Sequence, residues 1–183
     1  MDSDNESTPS LSNTASSESC DRESVAIIGC GPGGMSFLHA LACRRRRLEE
    51  EEKFDEIALL PEVTCYEKCS SPGGVWKAHD GKKESANMYK GLWINGNKDS
   101  LEFPDYTFDD HFESSLPVFM PRKHMLEYML ARVTSKEDIF QYVKFDTTVR
   151  SVVYNKSSSL FEITIVDNHS GEKSTNIFNK CIW

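Results

Sequence analysis

The fold is decided by residues 25–34, which read Val25-Ala26-Ile27-Ile28-Gly29-Cys30-Gly31-Pro32-Gly33-Gly34. The four apolar residues predict a short buried strand, and the glycines that follow them fit the pattern G-x-G-x-x-G. We predict that a helix then runs from about Pro32 into the mid-fifties, with an apolar face made of Met35, Phe37, Leu38, Leu41 and Leu48. A strand, a glycine-rich turn and a helix in this order are typical of a site that binds a dinucleotide.

The glycines of this turn have separate roles in such a site. Gly29 permits the tight turn, Gly31 lets the backbone approach a pyrophosphate, and Gly34 lets the helix pack closely against the strand. The helix N-terminus offers N–H groups and the positive end of its dipole to the phosphates. The alternative is a glycine-rich turn without a ligand, which the flanking strand and amphipathic helix make the weaker interpretation.

An acidic residue of the required kind follows a second strand. Residues 63–66 are apolar, β-branched or aromatic, and Glu67 comes directly after them. A carboxylate there accepts hydrogen bonds from ribose hydroxyls and repels a 2′-phosphate, so the first nucleotide should be FAD or NAD. Glu67 lies 33 positions after Gly34, against about 20 in the usual pattern. We attribute the excess to a charged extension of the helix at residues 44–56, while Asp55, Glu56 and a plain surface role for Glu67 stay as alternatives.

The C-terminal half predicts one more helix and a β-meander. Pro121 should open a helix with apolar positions at Met125, Leu126, Met129, Leu130 and Val133. Three segments, 149–154, 160–166 and 174–183, have strand character and are separated by polar turns. The sequence therefore predicts an α/β, Rossmann-like domain with a parallel sheet, a βαβ unit and a β-meander.

Composition limits the remaining possibilities. The chain of 183 residues is long enough for about one domain, and 29 acidic against 21 basic side chains give a net charge of −8, which argues against a nucleic-acid partner. Residues 1–23 should be a disordered, acidic, serine-rich tail, and residues 24–183 the folded domain. The uncharged run 25–43 is interrupted by glycines, so we predict no membrane span. Six scattered cysteines without a secretory signal indicate free thiols in the cytoplasm, and no cysteine or histidine spacing predicts a metal site.

Several ordered motifs resemble one enzyme family. Gly73-Gly74-Val75-Trp76 is similar to a G-G-x-W segment, and residues 88–99, which read Met88-Tyr89-Lys90-Gly91-Leu92-Trp93-Ile94-Asn95-Gly96-Asn97-Lys98-Asp99, are similar to an M-Y-x-x-L-W-x-N-x-x-K-E segment. Residues 103–108 and 143–149 continue the match in order. Residues 24–183 thus resemble flavin-containing monooxygenases, above all their bacterial trimethylamine monooxygenase branch.

The resemblance implies a monooxygenase that depends on FAD, NADPH and O2. Such an enzyme oxygenates a soft nitrogen or sulfur atom of a small amine or sulfide through a flavin C4a-hydroperoxide. Carried over by position, the FAD contacts would be Gly33, Glu67, Cys69, Val75, Trp76, Asn95 and Val149. Trp93 and Asn95 would also face the nicotinamide, and Asn95 is the candidate for a catalytic group beside the reactive flavin edge. The alternative interpretation is that Trp76 and Trp93 are ordinary core aromatics that contact no ligand.

The sequence contains one dinucleotide motif where the resembled family uses two. None of the glycines after Gly34 forms a second G-x-G-x-x-G, which the family uses for NADPH. We therefore expect an N-terminal, FAD-binding part of a monooxygenase, without the NADPH domain and inactive by itself. The alternative is a non-catalytic flavin-binding or interaction remnant, and a relative of the disulfide reductases is disfavoured by the cysteine spacing.

Overall fold

The structure is a computed structural model, and it describes residues 22–78 and 88–183. All but the last two residues of the predicted tail, 1–23, lie outside this range. A parallel sheet has the strand order β3-β2-β1-β7, with bounds Ser24–Ile28 (β1), Glu62–Tyr66 (β2), Val143–Lys144 (β3) and Lys180–Ile182 (β7). The first two strands match the predicted ones within a residue. The predicted α/β class with a parallel sheet is confirmed.

Helix α1, Pro32–Glu50, connects β1 to β2 and packs against both strands. Its buried Met35, Leu38 and Ala42 join Ile27 of β1 and Cys65 of β2 in one core cluster. This is the βαβ unit that the apolar periodicity predicts, because β1 buries its three central residues while the helix contributes one apolar face.

The helix ends earlier than predicted. The N–H of Lys53 donates to the carbonyl of Leu48 (2.8 Å) and the N–H of Glu52 to that of Glu49 (3.1 Å), which is a Schellman arrangement. Glu52 takes the left-handed conformation, with φ 54°, where a glycine is usual. A separate short helix, α2, follows at Phe54–Ala58. The prediction of one helix into the mid-fifties was wrong, although the long charged connection does account for the wide spacing of Glu67.

A three-stranded antiparallel sheet with the order β4-β5-β6 forms the predicted meander, with bounds Thr147–Asn155, Leu160–Asp167 and Lys173–Phe178. The predicted third strand, 174–183, is divided at Asn179. The Asn179 side-chain oxygen accepts from the N–H and the hydroxyl of Ser24, and the Asn179 N–H donates to the Ser24 carbonyl. These bonds turn the chain out of the meander, so that residues 180–182 join the parallel sheet beside β1.

After β2, a loop-rich segment packs on helix α4, Arg122–Thr134. It contains 3₁₀ turns at Gly74–Trp76 and Lys98–Ser100 and the short helix α3, Phe108–His111. Tyr128 of α4 is fully buried there, and its hydroxyl accepts from the N–H of Phe103 at 2.9 Å. Pro121 directly precedes α4, as predicted.

Candidate nucleotide-binding site

A cleft of about 780 Å³ opens where β1 and β2 end. Its volume lies in the range of roughly 300–1,000 Å³ that small-molecule and cofactor sites occupy. The carboxyl ends of parallel strands are where such sites form in open α/β sheets. Eight predicted site residues line the cleft, namely Gly29, Gly31, Gly33, Gly34, Glu67, Cys69, Val75 and Val149.

The glycine loop brings β1 and α1 together without side chains. Gly29 turns the chain with φ 97°, and a Cβ placed on Gly34 would lie 2.2 Å from the carbonyl oxygen of Gly29. Gly33 is exposed, and no atom of the described residues lies within 4 Å of a Cβ placed there. The first turn of α1 contains no acidic residue, and no side chain from the described ranges caps it. Its open N–H groups are therefore available to a phosphate.

A second glycine segment closes over the loop. A Cβ placed on Gly74 would lie 2.8 Å from the Cα of Gly31, so two backbones touch at this point. The N–H of Gly73 also donates to the carbonyl of Cys30 at 2.9 Å. The sequence assigned Gly31 only to a pyrophosphate, and the contact with Gly74 was missed because it joins residues that are distant in the chain.

Glu67 lies at the centre of a small hydrogen-bond network. Its side chain is buried, and its two oxygens accept from the N–H of Cys30 at 2.7 Å and of Cys69 at 2.9 Å. Its backbone donates to Lys144 and accepts from Thr147, at 3.0 and 2.9 Å. A carboxylate has about four acceptor positions, so two remain for hydroxyl groups of a ligand in the cleft. Asp55 and Glu56, the alternatives by spacing, lie in α2 and do not line the cleft.

Positive and negative side chains line the outer part of the cleft. Lys68, Lys77 and Asp146 face it, and none was predicted from the sequence, since an isolated charge carries no positional signal. Burial is the main cause that raises the pKa of the Cys69 thiol, which Glu67 also raises, while Lys77 opposes the shift. Cys69 is therefore a neutral contact surface.

Three predicted site residues do not line this cleft. Trp76 is partly buried against the core around α4, and its carbonyl accepts from the Arg122 guanidinium. Trp93 is 57% exposed and Asn95 is exposed. They lie on a segment that is tied to the start of α4, because the N–H of Arg122 donates to the carbonyl of Leu92.

Within 22–78 and 88–183, no three side chains of histidine, cysteine, aspartate or glutamate are grouped as a metal site would need. In the same ranges, no helix has the length and apolar character to cross a membrane.

Comparison with known proteins agrees with the motif-based resemblance. The sequence model of flavin-binding monooxygenase-like proteins matches residues 22–182. The chain is 34% identical over 162 residues to the trimethylamine monooxygenase of Methylocella silvestris, covering 85% of this chain and 34% of that protein. The crystal structure of Tmm from Pelagibacter sp. strain HTCC7211 superposes with a TM-score of 0.71 at 38% identity, covering 86% of this chain and 35% of that one.

A more distant structure shares the fold. Cyclohexanone monooxygenase from Rhodococcus sp. Phi1, bound to NADP+, has a TM-score of 0.56 at 22% identity and covers 87% of this chain and 25% of that one. The chain spans about a third of the length of the trimethylamine monooxygenase relatives.

Proposed function

Because the chain belongs to the flavin-binding monooxygenase-like family, we propose that it forms the FAD-binding part of a monooxygenase that uses NADPH and O2. The observation that carries the proposal is the cleft at the ends of β1 and β2, which combines a glycine loop, an open helix N-terminus and the Glu67 carboxylate. A dinucleotide needs these three features in this order.

The residues of the cleft fit FAD in separate parts. The N-terminus of α1, where Gly33 leaves open space, would hold the pyrophosphate, and the Glu67 carboxylate would accept hydrogen bonds from the adenosine ribose. Lys68 and Lys77 add positive charge near the phosphates, and Val75 and Val149 supply apolar contacts. When held in the cleft, FAD would supply the redox chemistry of the proposed reaction, namely hydride acceptance from NADPH and activation of O2.

The substrate proposed is a small amine or sulfide, since trimethylamine monooxygenases are among the relatives. NADPH needs a site of its own, because Glu67 repels a 2′-phosphate at the glycine loop. We assign Trp93 and Asn95 to the nicotinamide side, with Asn95 as the catalytic amide that donates and accepts hydrogen bonds without transferring a proton. Their exposure leaves both side chains accessible to such a ligand.

The test is an equilibrium titration of the chain with FAD and with FMN, followed by flavin fluorescence. FMN lacks the adenosine and the pyrophosphate, so it cannot engage Glu67 and the glycine loop together. We expect one FAD per chain and much weaker binding of FMN. Equal affinity for FAD and FMN, or no retained FAD, would overturn the assignment of the cleft.

A further inference from the structure

A second cleft, of about 520 Å³, lies between the middle of α1 and the segment that precedes α4. It contains a cysteine, a histidine and several charges that the flavin site does not use. The side chains that matter are His39, Cys43, Arg44 and Arg47 of α1, with Asp105 and Arg132 across the cleft.

The cysteine and the histidine face each other one helical turn apart. The sulfur of Cys43 lies 3.5 Å from Nε2 of His39. Nδ1 of His39 lies 3.2 Å from the carbonyl oxygen of Val133. A carbonyl only accepts, so Nδ1 carries the proton and the Nε2 lone pair points to the thiol. A nucleophile, a base beside it and a third group that orients the base form the arrangement by which protein thiols are activated.

A carboxylate lies close to this histidine. Oδ2 of Asp105 lies 3.7 Å from Nε2 of His39, and the imidazole itself is buried, with its side chain 4% exposed. If His39 takes the thiol proton, the resulting imidazolium is stabilised by Asp105 on one side and keeps its bond to Val133 on the other. Proton transfer from Cys43 to His39 therefore leaves no unpaired charge in the cleft.

The charges at the rim favour an anion. Three guanidinium groups line the cleft, against the single carboxylate of Asp105. Arg132 binds Asp105 in a fork, with both distances 3.0 Å, and Arg44 binds Glu56 at 2.7 Å. Arg47 lines the same cleft from the exposed last turns of α1. Arg44 and Arg132 are thus offset by carboxylates, and the exposed guanidinium of Arg47 is the charge that favours an anionic molecule at Cys43.

We propose that Cys43 is a thiol-modification site that exchanges with small disulfides carrying carboxylate groups. Cys43 gives its proton to Nε2 of His39, and the thiolate attacks one sulfur of the disulfide. A new S–S bond forms at Cys43 while the S–S bond of the reagent breaks, and the leaving thiolate takes the proton from His39. One thiol and one disulfide become another thiol and disulfide, without net oxidation or reduction.

The other cysteines in the described ranges have surroundings that oppose this chemistry. Cys30 and Cys65 are fully buried, and the contact with Cys30 together with burial raises the pKa of Cys65. Burial also raises the pKa of Cys181 and is the main cause of the raised pKa of Cys69. Cys20 lies outside the described residues, so the experiment removes it.

The test compares two reagents on a Cys20→Ser chain. One is the dianionic disulfide 5,5′-dithiobis(2-nitrobenzoate), the other the cationic disulfide cystamine, and peptide mass spectrometry identifies the labelled cysteine. We expect Cys43 to react with the dianion before the other cysteines of the chain do. Arg47→Gln should lower the ratio of the two rates at Cys43 by roughly two- to fivefold, as the loss of one exposed charge pair would.

Two variants separate the proposal from a structural effect. Arg46→Gln removes the neighbouring charge, which pairs with Glu50 outside the cleft, and should leave the ratio unchanged. His39→Gln should slow both reagents alike, because it removes the base whatever the charge of the reagent. If Cys43 reacts no faster than Cys69 and Cys181, or if Arg47→Gln and Arg46→Gln give the same ratio, the proposal is wrong. The arginine pair keeps this test valid even if His39→Gln does not fold.

Discussion

At the scale of single residues, Glu67 combines a structural role, visible in its hydrogen bonds, with the ligand-binding role that we propose for it. Its carboxylate holds the N–H of Cys30, within the glycine loop, and the N–H of Cys69, after β2. It thus fixes the two walls of the cleft relative to each other. The same oxygens keep acceptor capacity for a ribose, so the residue that we propose to bind the ligand also shapes the cleft in the absence of one.

The first prediction concerns this carboxylate. Glu67→Gln should weaken FAD binding by about 1.5–3 kcal/mol, or roughly 10- to 150-fold in Kd, because a charge-assisted acceptor is lost. A titration monitored by flavin fluorescence measures it, with folding checked by circular dichroism. Glu62→Gln, at the exposed start of the same strand, is the matched control and should bind FAD as the unmodified chain does. An unchanged Kd in Glu67→Gln would assign the ribose to another residue.

The sequence predicts that Glu67 lies at the end of β2, because the residue directly follows an apolar strand. Its distance from Gly34 along the chain, longer than in the usual pattern, would by itself have favoured another acidic residue. The contact of Gly74 with Gly31 was not readable in the same way. A glycine required by a neighbour far along the chain has no local signature, since its environment is produced by the fold.

At the scale of secondary structure, the close packing of α1 on β1 needs a glycine at position 34, whereas the preceding Gly33 has open space where a side chain would lie. A Cβ at Gly34 would collide with the backbone of Gly29, which is not able to move aside as a side chain would. Gly34→Ala should therefore lower the free energy of unfolding by about 1–3 kcal/mol or more. Gly33→Ala meets no described atom and should keep or slightly raise stability. Denaturant unfolding of both variants decides, and equal stabilities would contradict this account of the turn.

A second prediction at this scale concerns the fork between Asp105 and Arg132, which ties α4 to the preceding segment. The hydrogen bonds from Arg132 are the main cause that lowers the pKa of Asp105, against the opposing effect of burial. A lowered pKa stabilises the fold above the ordinary aspartate value of about 3.9, and this contribution is lost as pH falls through the lowered value. Because Asp105 is 48% exposed, the contribution is screened to about 0.2–1 kcal/mol.

Unfolding free energies of the unmodified chain and of Asp105→Asn should accordingly differ at about pH 7, and the difference should shrink as the pH falls below the ordinary aspartate pKa of about 3.9 and through the lowered pKa of Asp105. Asp99→Asn, at an exposed aspartate of a 3₁₀ turn, is the control. Its free energy of unfolding should stay close to that of the unmodified chain at every pH. A gap that stays constant with pH would refute the ion pair as its source.

Element boundaries show where sequence patterns are insufficient. The end of α1 has the Schellman hydrogen bonds without the glycine that normally announces them, since Glu52 occupies the left-handed position. The division of the last predicted strand at Asn179 depends on hydrogen bonds to Ser24, which lies near the other end of the chain. Apolar periodicity identifies which segments are strands, but not that consecutive residues belong to different sheets.

At the scale of the whole molecule, the described residues hold one cleft that we propose for a nucleotide, and the proposed reaction needs a second nucleotide site. Hydride transfer needs the nicotinamide held about 3–3.5 Å from the flavin. We therefore expect the 183-residue chain, loaded with FAD, to oxidise NADPH no faster than free FAD does. Absorbance at the NADPH band and an oxygen electrode measure this, with free FAD as the control. Oxygen uptake that depends on an added amine or sulfide would contradict the expectation.

The pairing of β1 with β7 has a consequence for how the chain folds. On one side β1 pairs with β2, and on the other it pairs with β7, whose residues follow those of β1 by about 155 positions. The hydrogen bonds between Ser24 and Asn179 span the same distance along the chain. Contacts of such high contact order are slow to form, because the entropy of closing the loop is lost before the contact stabilises the chain. During synthesis on a ribosome, the strand that precedes the glycine loop therefore keeps one edge unpaired until residues 180–182 have emerged.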